Sequence, residues 1–386
     1  MKIVHVYKDY HPPVRGGIEQ TVERIARAQV AAGHDVTVLV SASGGRRSLE
    51  ERVAGVRVVR VAEWARVLSS PIAPGFPAAL KRECADVWHL HFPNPLGEAS
   101  WLLASPPGAL LVTYYADVVR QRLLLPIYRP FIHHLLQRAD LVQVISPQAL
   151  ERADSPVSRH RERCRLVPLG IDLGPFQDID RNSAGARALR ERYGDPFVLF
   201  VGRLRYYKGL DVLLAAMPNV SARLVIVGDG PMEAPLRSQV RELRIGDKVV
   251  FTGAITDDEL RVHLGAAAIG VLPSTHPSEA FGLSMVEYLA AGLPVVCTEL
   301  GTGTTFVNED GVTGVVVPPR DPAALAKGLT SLLEDDELRA KFGAAGRKRA
   351  AALFSMPEMM RGLDTLYAEV IARSTPRPQQ AQVTKS

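Results

Sequence analysis

Two glutamates eight residues apart stand in the run His276-Pro277-Ser278-Glu279-Ala280-Phe281-Gly282-Leu283-Ser284-Met285-Val286-Glu287, which reads as strand end, loop and helix. A strand then follows Ala290-Ala291-Gly292-Leu293-Pro294. If both glutamates were helical, they would lie two turns plus about 80° apart, about 12 Å along the axis. That is too far for one acid–base couple but suits a grip on the two ends of an elongated ligand. The amides of Ala280, Phe281, Gly282 and Leu283 would meet a phosphate from the helix N-terminus, and Gly282 would permit close approach. The plainer reading of the bare pair is an acidic helix cap and an exposed carboxylate.

A second run, Phe200-Val201-Gly202-Arg203-Leu204-Arg205-Tyr206-Tyr207-Lys208-Gly209, follows a strand and leads into a helix. Arg203 as a planar fork and Lys208 as a point charge can neutralise a diphosphate. A third, Arg15-Gly16-Gly17-Ile18-Glu19, follows the first strand and opens the first helix, where paired glycines make an anion-accepting turn. Each run has a structural alternative, a basic loop or a tight turn. No G-x-G-x-x-G precedes an acidic residue at ribose distance, which disfavours a dinucleotide oxidoreductase.

Short apolar runs must position these loops. Ile3–Tyr7, Val36–Val40, Val56–Val61, Val87–Leu90, Leu110–Thr113 and Leu141–Ile145 read as buried parallel strands. A second series comprises Val198–Val201, Leu224–Val227, Val249–Thr252, Ile269–Leu272, Pro294–Cys297 and Val315–Val317. Amphipathic helices alternate with them: Ile18–Ala32 closed by Gly33, then Gly209–Met217, Met232–Arg244, Asp257–Ala266, Phe281–Ala291 and Pro322–Glu334. Two βαβ series imply an α/β chain of two doubly wound, Rossmann-like domains, with ligands outside the carboxyl ends of the strands, in a cleft where the domains face each other. The expected division is 1–175 for the first Rossmann-like domain and 176–355 for the second. A helix over 356–373 would pack back on the first, and 374–386 would form a disordered tail. The polar stretch up to Gly194 reads as a linker.

At 386 residues, 47% hydrophobic and 23% charged, the chain is too long for one core and too apolar for disorder. No stretch reaches the roughly 18 apolar residues of a membrane span, and the start is too short for a signal peptide. Cys84, Cys164 and Cys297 form no C-x-x-C pair, so a disulfide framework or cysteine zinc site is not expected. A cytoplasmic protein is expected. From Val118 to Arg165, nine arginines face four acidic residues, a local excess equal to the whole formal net charge of +5. Such a patch suits a membrane surface or phosphates, or is simply a solvated face. No nucleic-acid motif accompanies it.

Taken together, these residues resemble the retaining glycosyltransferases of family four, with the GT-B fold, over nearly the whole chain. The marks are Gly16-Gly17, Pro168-Leu169-Gly170-Ile171-Asp172, Gly202-Arg203-Leu204 with Lys208-Gly209, Val227-Gly228-Asp229-Gly230-Pro231, and the Glu279/Glu287 pair. The opening Tyr7-Lys8-Asp9-Tyr10 with Gly16-Gly17-Ile18-Glu19-Gln20 looks most like bacterial mannosyl- and rhamnosyltransferases of surface-polysaccharide assembly. The resemblance implies that Arg203 and Lys208 hold the donor diphosphate and that Glu279 faces the donor sugar. The amides of Ala280 to Leu283 would meet the distal phosphate, Glu287 the ribose, the Gly228 and Gly253 loops the base, and Gly17, beside Gly16, the phosphates. Fixed cations and a helix N-terminus stabilise a departing diphosphate without a metal, and no D-x-D stands at a strand end. Neither metal nor cofactor is expected.

Many relatives carry a histidine in a Thr-x-His-x-Asp setting. Here Thr113-Tyr114-Tyr115-Ala116-Asp117 puts Tyr115 in its place and keeps Asp117. His89 and His91, two apart on one strand face, read as polar cleft or packing residues ahead of metal ligands. The implied partners are a nucleotide-sugar donor, first GDP-mannose, and a glycan or polyprenyl-linked acceptor. GDP-rhamnose, UDP-glucose or a non-catalytic sugar-nucleotide-binding subunit are the alternatives. Residues 118–136 mix arginines with Leu124, Leu125, Phe131 and Ile132. They read either as peripheral membrane anchor, on the inner face of the plasma membrane, or as core with solvated arginines. Pro126 and Pro130 are expected to break any single long helix there.

Overall fold

The computed structural model describes residues 1–14, 16–67, 70–116 and 125–374. They form two compact units, one of 1–144, 154–167 and the chain from Met360 on, the other of 145–153 and 168–359.

In the first unit the strands are β1 (Lys2–Val6), β2 (Asp35–Ser41), β3 (Leu49–Val53), β4 (Val56–Val61), β5 (Ala65–Val67), β6 (Ser70–Ile72), β7 (Val87–Phe92), β8 (Ala109–Tyr114), β9 (Leu141–Val144) and β10 (Cys164–Leu166). Eight of them make one sheet in the order β10-β9-β8-β7-β1-β2-β4-β3, parallel except for the antiparallel edge strand β3. The antiparallel pair β5–β6 stands apart. β3 carries no apolar run: its residues Leu49 to Val53 are exposed or half-buried, as an edge strand tolerates. Strand order reverses between β1 and β7, so their carboxyl ends diverge and leave room for a ligand. The helix Gly17–Ala31 begins one residue before the expected start, buries Val22, Ile25, Ala26 and Gln29, and is followed by Gly33 in the left-handed region, φ +84°.

The second unit holds β11 (Phe197–Val201), β12 (Arg223–Val227), β13 (Val249–Gly253), β14 (Ile269–Leu272), β15 (Val295–Thr298) and β16 (Gly314–Val317). They form one all-parallel sheet in the order β13-β12-β11-β14-β15-β16, and here the switch point lies between β11 and β14. Gly270 on β14 has no room for a Cβ: it would meet the Tyr288 ring at 2.4 Å. That ring lets the Tyr288 hydroxyl accept the Val201 amide at 2.6 Å, tying the helix Leu283–Ala290 to the end of β11.

Three expectations are corrected. The stretch before Gly194 is not an irregular linker but contains the helix Ala184–Tyr193, N-capped by the Ser183 hydroxyl. Its polar face hid it, because only Ala186 and Tyr193 are buried. The helix Leu125–Arg138 runs through Pro130. Pro126 sits in its first turn, where its missing N–H has no intrahelical partner to lose. The helix after β14 starts at Leu283 rather than Phe281, because Gly282 adopts φ +83° as its N-cap.

Candidate functional site

In the second unit, β11 ends at Val201 and β14 at Leu272. The loops that follow are locked together. A Cβ on Gly209, φ +67°, would sit 1.9 Å from the Pro273 carbonyl, and the Thr275 amide bonds the Tyr207 carbonyl at 2.9 Å. This closure brings Lys208 Nζ to 2.5 Å from Glu279 Oε2, with both side chains about nine-tenths buried. The Ser274 hydroxyl donates to the same oxygen at 3.1 Å, and the Thr302 hydroxyl holds the Glu279 carbonyl at 2.7 Å. Burial works against the Lys208 ammonium, but the Glu279 carboxylate, with Tyr207 and Glu287, outweighs it and raises its pKa above the ordinary lysine value. The site therefore carries a fixed cation and a fixed anion at the switch point of the sheet.

Arg203 lies on the same loop but is exposed, with no hydrogen bond or ion pair among the described residues. A ligand can recruit it without breaking an existing bond. The 202–204 and 228–230 turns interlock: a Cβ on Gly228 would meet the Gly202 carbonyl at 2.1 Å, and one on Gly230 the Leu204 carbonyl at 2.5 Å. Gly253, φ +73°, pairs with Gly228 through a 2.8 Å backbone bond and has open space at its own Cβ position. Ala280 and Phe281 precede the helix as loop, with the Ala280 carbonyl accepting the Gly303 amide at 2.8 Å. Leu283 opens it. Glu287 is half-buried on the second turn, and its charge reaches Lys208. The structure thus groups Lys208, Glu279 and Glu287, with Arg203 on the same loop as Lys208.

The first unit differs from expectation at its helix start. Gly16 and Gly17 do open the helix, but Glu19 folds back over them: a Cβ on Gly16 would lie 2.1 Å from Glu19 Oε2. Burial pushes the Glu19 pKa up, and the carboxylate takes a hydrogen bond from its own amide. The N-terminus of this helix already faces an anion of the chain itself. Tyr115, just past β8, is 4% exposed. Asp117 lies outside the described residues, as do Arg15 and the first part of the basic run, 118–124, with Leu124. Ile132 is core, 1% exposed, so it is not a membrane-dipping residue. Arg129, Arg138 and Arg163 donate to the Asp154 carbonyl, the Ser105 hydroxyl and the Ala139 carbonyl.

His89 and His91 are packing residues, as the sequence reading had them, but that reading missed the buried polar row they belong to, which crosses β1, β7, β8 and β9: His5, His89, His91, Thr113 and Gln143, all at most 1% exposed. The register sets His5 beside His89, His91 beside Thr113 and Thr113 beside Gln143. Ring nitrogens of the three histidines lie within 4.8 Å of one another, a spacing a metal could bridge. The His89 and His91 rings stack at 4.3 Å, however, so their lone pairs run side by side rather than converge, and every ring nitrogen already has a partner. A hydrogen-bonded row fits these residues better than a metal centre. Ser274 and Thr302 were missed too; small hydroxyls in loops carry no spacing signal.

Comparison with known proteins agrees with this geometry. Residues 15–174 match the model described as Glycosyltransferase Family 4, and residues 185–349 the one described as Glycosyl transferases group 1. The O-antigen chain mannosyltransferase C of Escherichia coli is 31% identical over 96% of this chain and 99% of its own. The D-rhamnosyltransferase of Pseudomonas aeruginosa is 34% identical over 92% of both. A sucrose-phosphate synthase structure from Thermosynechococcus elongatus superposes with TM-score 0.80 at 27% identity, covering 96% of this chain and 99% of that one. The parallel sheets, the residues at their switch points and these matches along both halves agree: the chain belongs to the family-four glycosyltransferases of the GT-B fold.

Proposed function

We propose that the protein transfers a hexose, mannose from GDP-mannose in the first instance, to a glycan or polyprenyl-linked acceptor of surface-polysaccharide assembly, with retention of anomeric configuration. The observation that carries this is the buried Lys208–Glu279 pair at the β11/β14 switch point. When the sugar leaves, negative charge develops on the diphosphate. A preorganised ammonium stabilises it there without the reorganisation that water would need. Lys208 and the uncommitted Arg203 hold the diphosphate, and the amides around Gly282 and Leu283 meet its distal phosphate. Glu279, anchored by Lys208 and Ser274, faces the sugar as it becomes cationic. Glu287 binds the ribose, and the Gly228–Gly253 turns border the base. Gly16, Gly17, Tyr115 and Asp117 are the first unit's proposed donor contacts.

The choice of mannose rests on the Escherichia coli relative, and the Pseudomonas aeruginosa one supports rhamnose as the second reading. Peripheral membrane docking stays tied to the lipid-linked acceptor. No helix of the described residues is long and apolar enough to cross a membrane. Thermal shift tests the donor: at a hundredfold excess over its dissociation constant, a ligand stabilises by about 2.7 kcal/mol. GDP and GDP-mannose should raise Tm by several degrees and UDP should not; a shift with UDP alone would remove GDP-mannose.

A further inference from the structure

The buried row in the first unit is one continuous hydrogen-bonded chain, and its polarity can be worked out. It ends on the Val167 carbonyl, which can only accept. The Gln143 side-chain amide lies 2.8 Å from that carbonyl, so its NH2 faces Val167 and its Oε1 faces Thr113, 2.6 Å away. The Thr113 hydroxyl proton is thereby committed to Gln143. His89 Nε2, 2.6 Å from the Thr113 oxygen, must then carry the donating proton. A neutral His89 leaves Nδ1 as acceptor, so the Tyr367 hydroxyl donates to it at 2.7 Å. The Tyr367 oxygen takes the Gln29 NH2 at 2.8 Å, which turns Gln29 Oε1 toward His5 Nε2 at 2.6 Å. His5 therefore donates from Nε2 and accepts at Nδ1 from His91 Nε2, 2.9 Å away. His91 Nδ1 is left as an acceptor, and the Tyr115 hydroxyl, at 2.9 Å, must donate to it.

All three histidine rings are fully buried, and burial holds each well below the ordinary histidine range, His5 down to about 4. A cation anywhere in the row would need acceptors on both of its sides and would reverse half the chain. With neutral rings only one polarity satisfies every member.

Tyr115 thus has its single proton turned inward, and no other partner of its oxygen occurs among the described residues. What it can still offer is a lone pair. We propose that Tyr115, held by this one-way chain, is an acceptor-only recognition group for a sugar hydroxyl, and that His91, His5, Gln29, Tyr367, His89, Thr113 and Gln143 are positioning residues that set its proton. The site therefore takes a hydroxyl that donates and rejects a sugar that lacks one there. This rests on the sugar-transfer reading. The hydroxyl belongs to the transferred hexose or to the acceptor sugar, which share this chemistry.

Two measurements test it. Long-range proton–nitrogen NMR on the full chain should show His5, His89 and His91 all neutral and protonated at Nε2. A proton on Nδ1 of any of them, or a cation at neutral pH, overturns the polarity. Thr113→Val, which cuts the anchor, should mix the tautomers of His5 and His91, and Thr113→Ser should restore them; unchanged tautomers in Thr113→Val would overturn the transmission. The second is a cycle with monodeoxyfluoro analogues, since fluorine replaces the hydroxyl but cannot donate. One arm varies GDP-mannose, the other the acceptor sugar. At one ring position the exchange should lower kcat/KM at least about tenfold in the wild type, and the same exchange should cost nothing further in Tyr115→Phe. The arm that shows the effect identifies the source. A wild type that transfers sugar but shows no such position overturns this inference alone. A wild type that transfers none overturns the sugar-transfer reading with it.

Discussion

Lys208 and Glu279 show how two side chains of opposite charge can be buried together without a large penalty. Each desolvation cost is offset by the other's field and by the Ser274 hydroxyl, whereas either alone would be an uncompensated charge. Glu287 differs: it is half-buried, and its charge adds to the field that favours the Lys208 ammonium. Their roles should separate in kinetics. Glu287→Gln should mainly weaken nucleotide binding, because ribose contacts act in ground and transition states alike, while Glu279→Gln should mainly lower kcat. Calorimetric GDP binding alongside steady-state rates would check this, and a GDP affinity that falls only in Glu279→Gln would reverse the assignment. At this scale, the sequence showed charged residues in glycine-bounded runs after strands, because such runs have a recognisable spacing. It could not show that Lys208 meets Glu279, since that contact joins loops 71 residues apart. Nor could it join His89 and His91 to the rest of their row, whose members come from four strands, the first helix and the C-terminal helix.

Elements were legible where apolar period and punctuation agreed. β14, the strand Val56–Val61 and the helix Asp257–Ala266 fall on the expected bounds, the last through a full capping box between Thr256 and Glu259. Elements with weak burial, such as β3 and the helix Ala184–Tyr193, left no period to read. The helix Pro95–Ala104 hides a different kind of information. Its Glu98 is 1% exposed, accepts the Asn94 amide at 2.5 Å and takes the Tyr128 hydroxyl on its other oxygen. Burial outweighs both hydrogen bonds and pushes its carboxyl up to about 7. A raised folded-state value means that stability is fully present below the ordinary glutamate range and is lost as pH rises through about 7. Glu98→Gln should therefore match the wild type near pH 4.5 and exceed it near pH 8, by roughly 3 kcal/mol at most. Urea unfolding of both proteins at the two pH values measures this; an equal difference at both would show that Glu98 does not titrate in this window.

The whole molecule repeats one device in two units. Each sheet reverses its strand order, between β1 and β7 and between β11 and β14; the second unit places its charged pair in the loops after the strands at that reversal, and the first runs its polar row through the strands to Tyr115, just past β8. The second unit supplies charge, with Lys208, Glu279, Glu287 and Arg203; the first supplies neutral, directed hydrogen bonding ending at Tyr115. Composition and strand count already indicated two doubly wound domains, because buried parallel strands read as continuous apolar runs. In the proposed reaction, the buried cation of the second unit drives departure of a nucleoside diphosphate. The direct measurement is GDP release from GDP-mannose in the presence of a mannosylated lipid-linked acceptor, by the wild type and by Lys208→Ala, with Tm recorded for both. Loss of one charge-stabilising group typically costs about a hundredfold or more. Release by Lys208→Ala should fall by that much while the variant still folds, and a folded Lys208→Ala releasing GDP at the wild-type rate would contradict the role of Lys208.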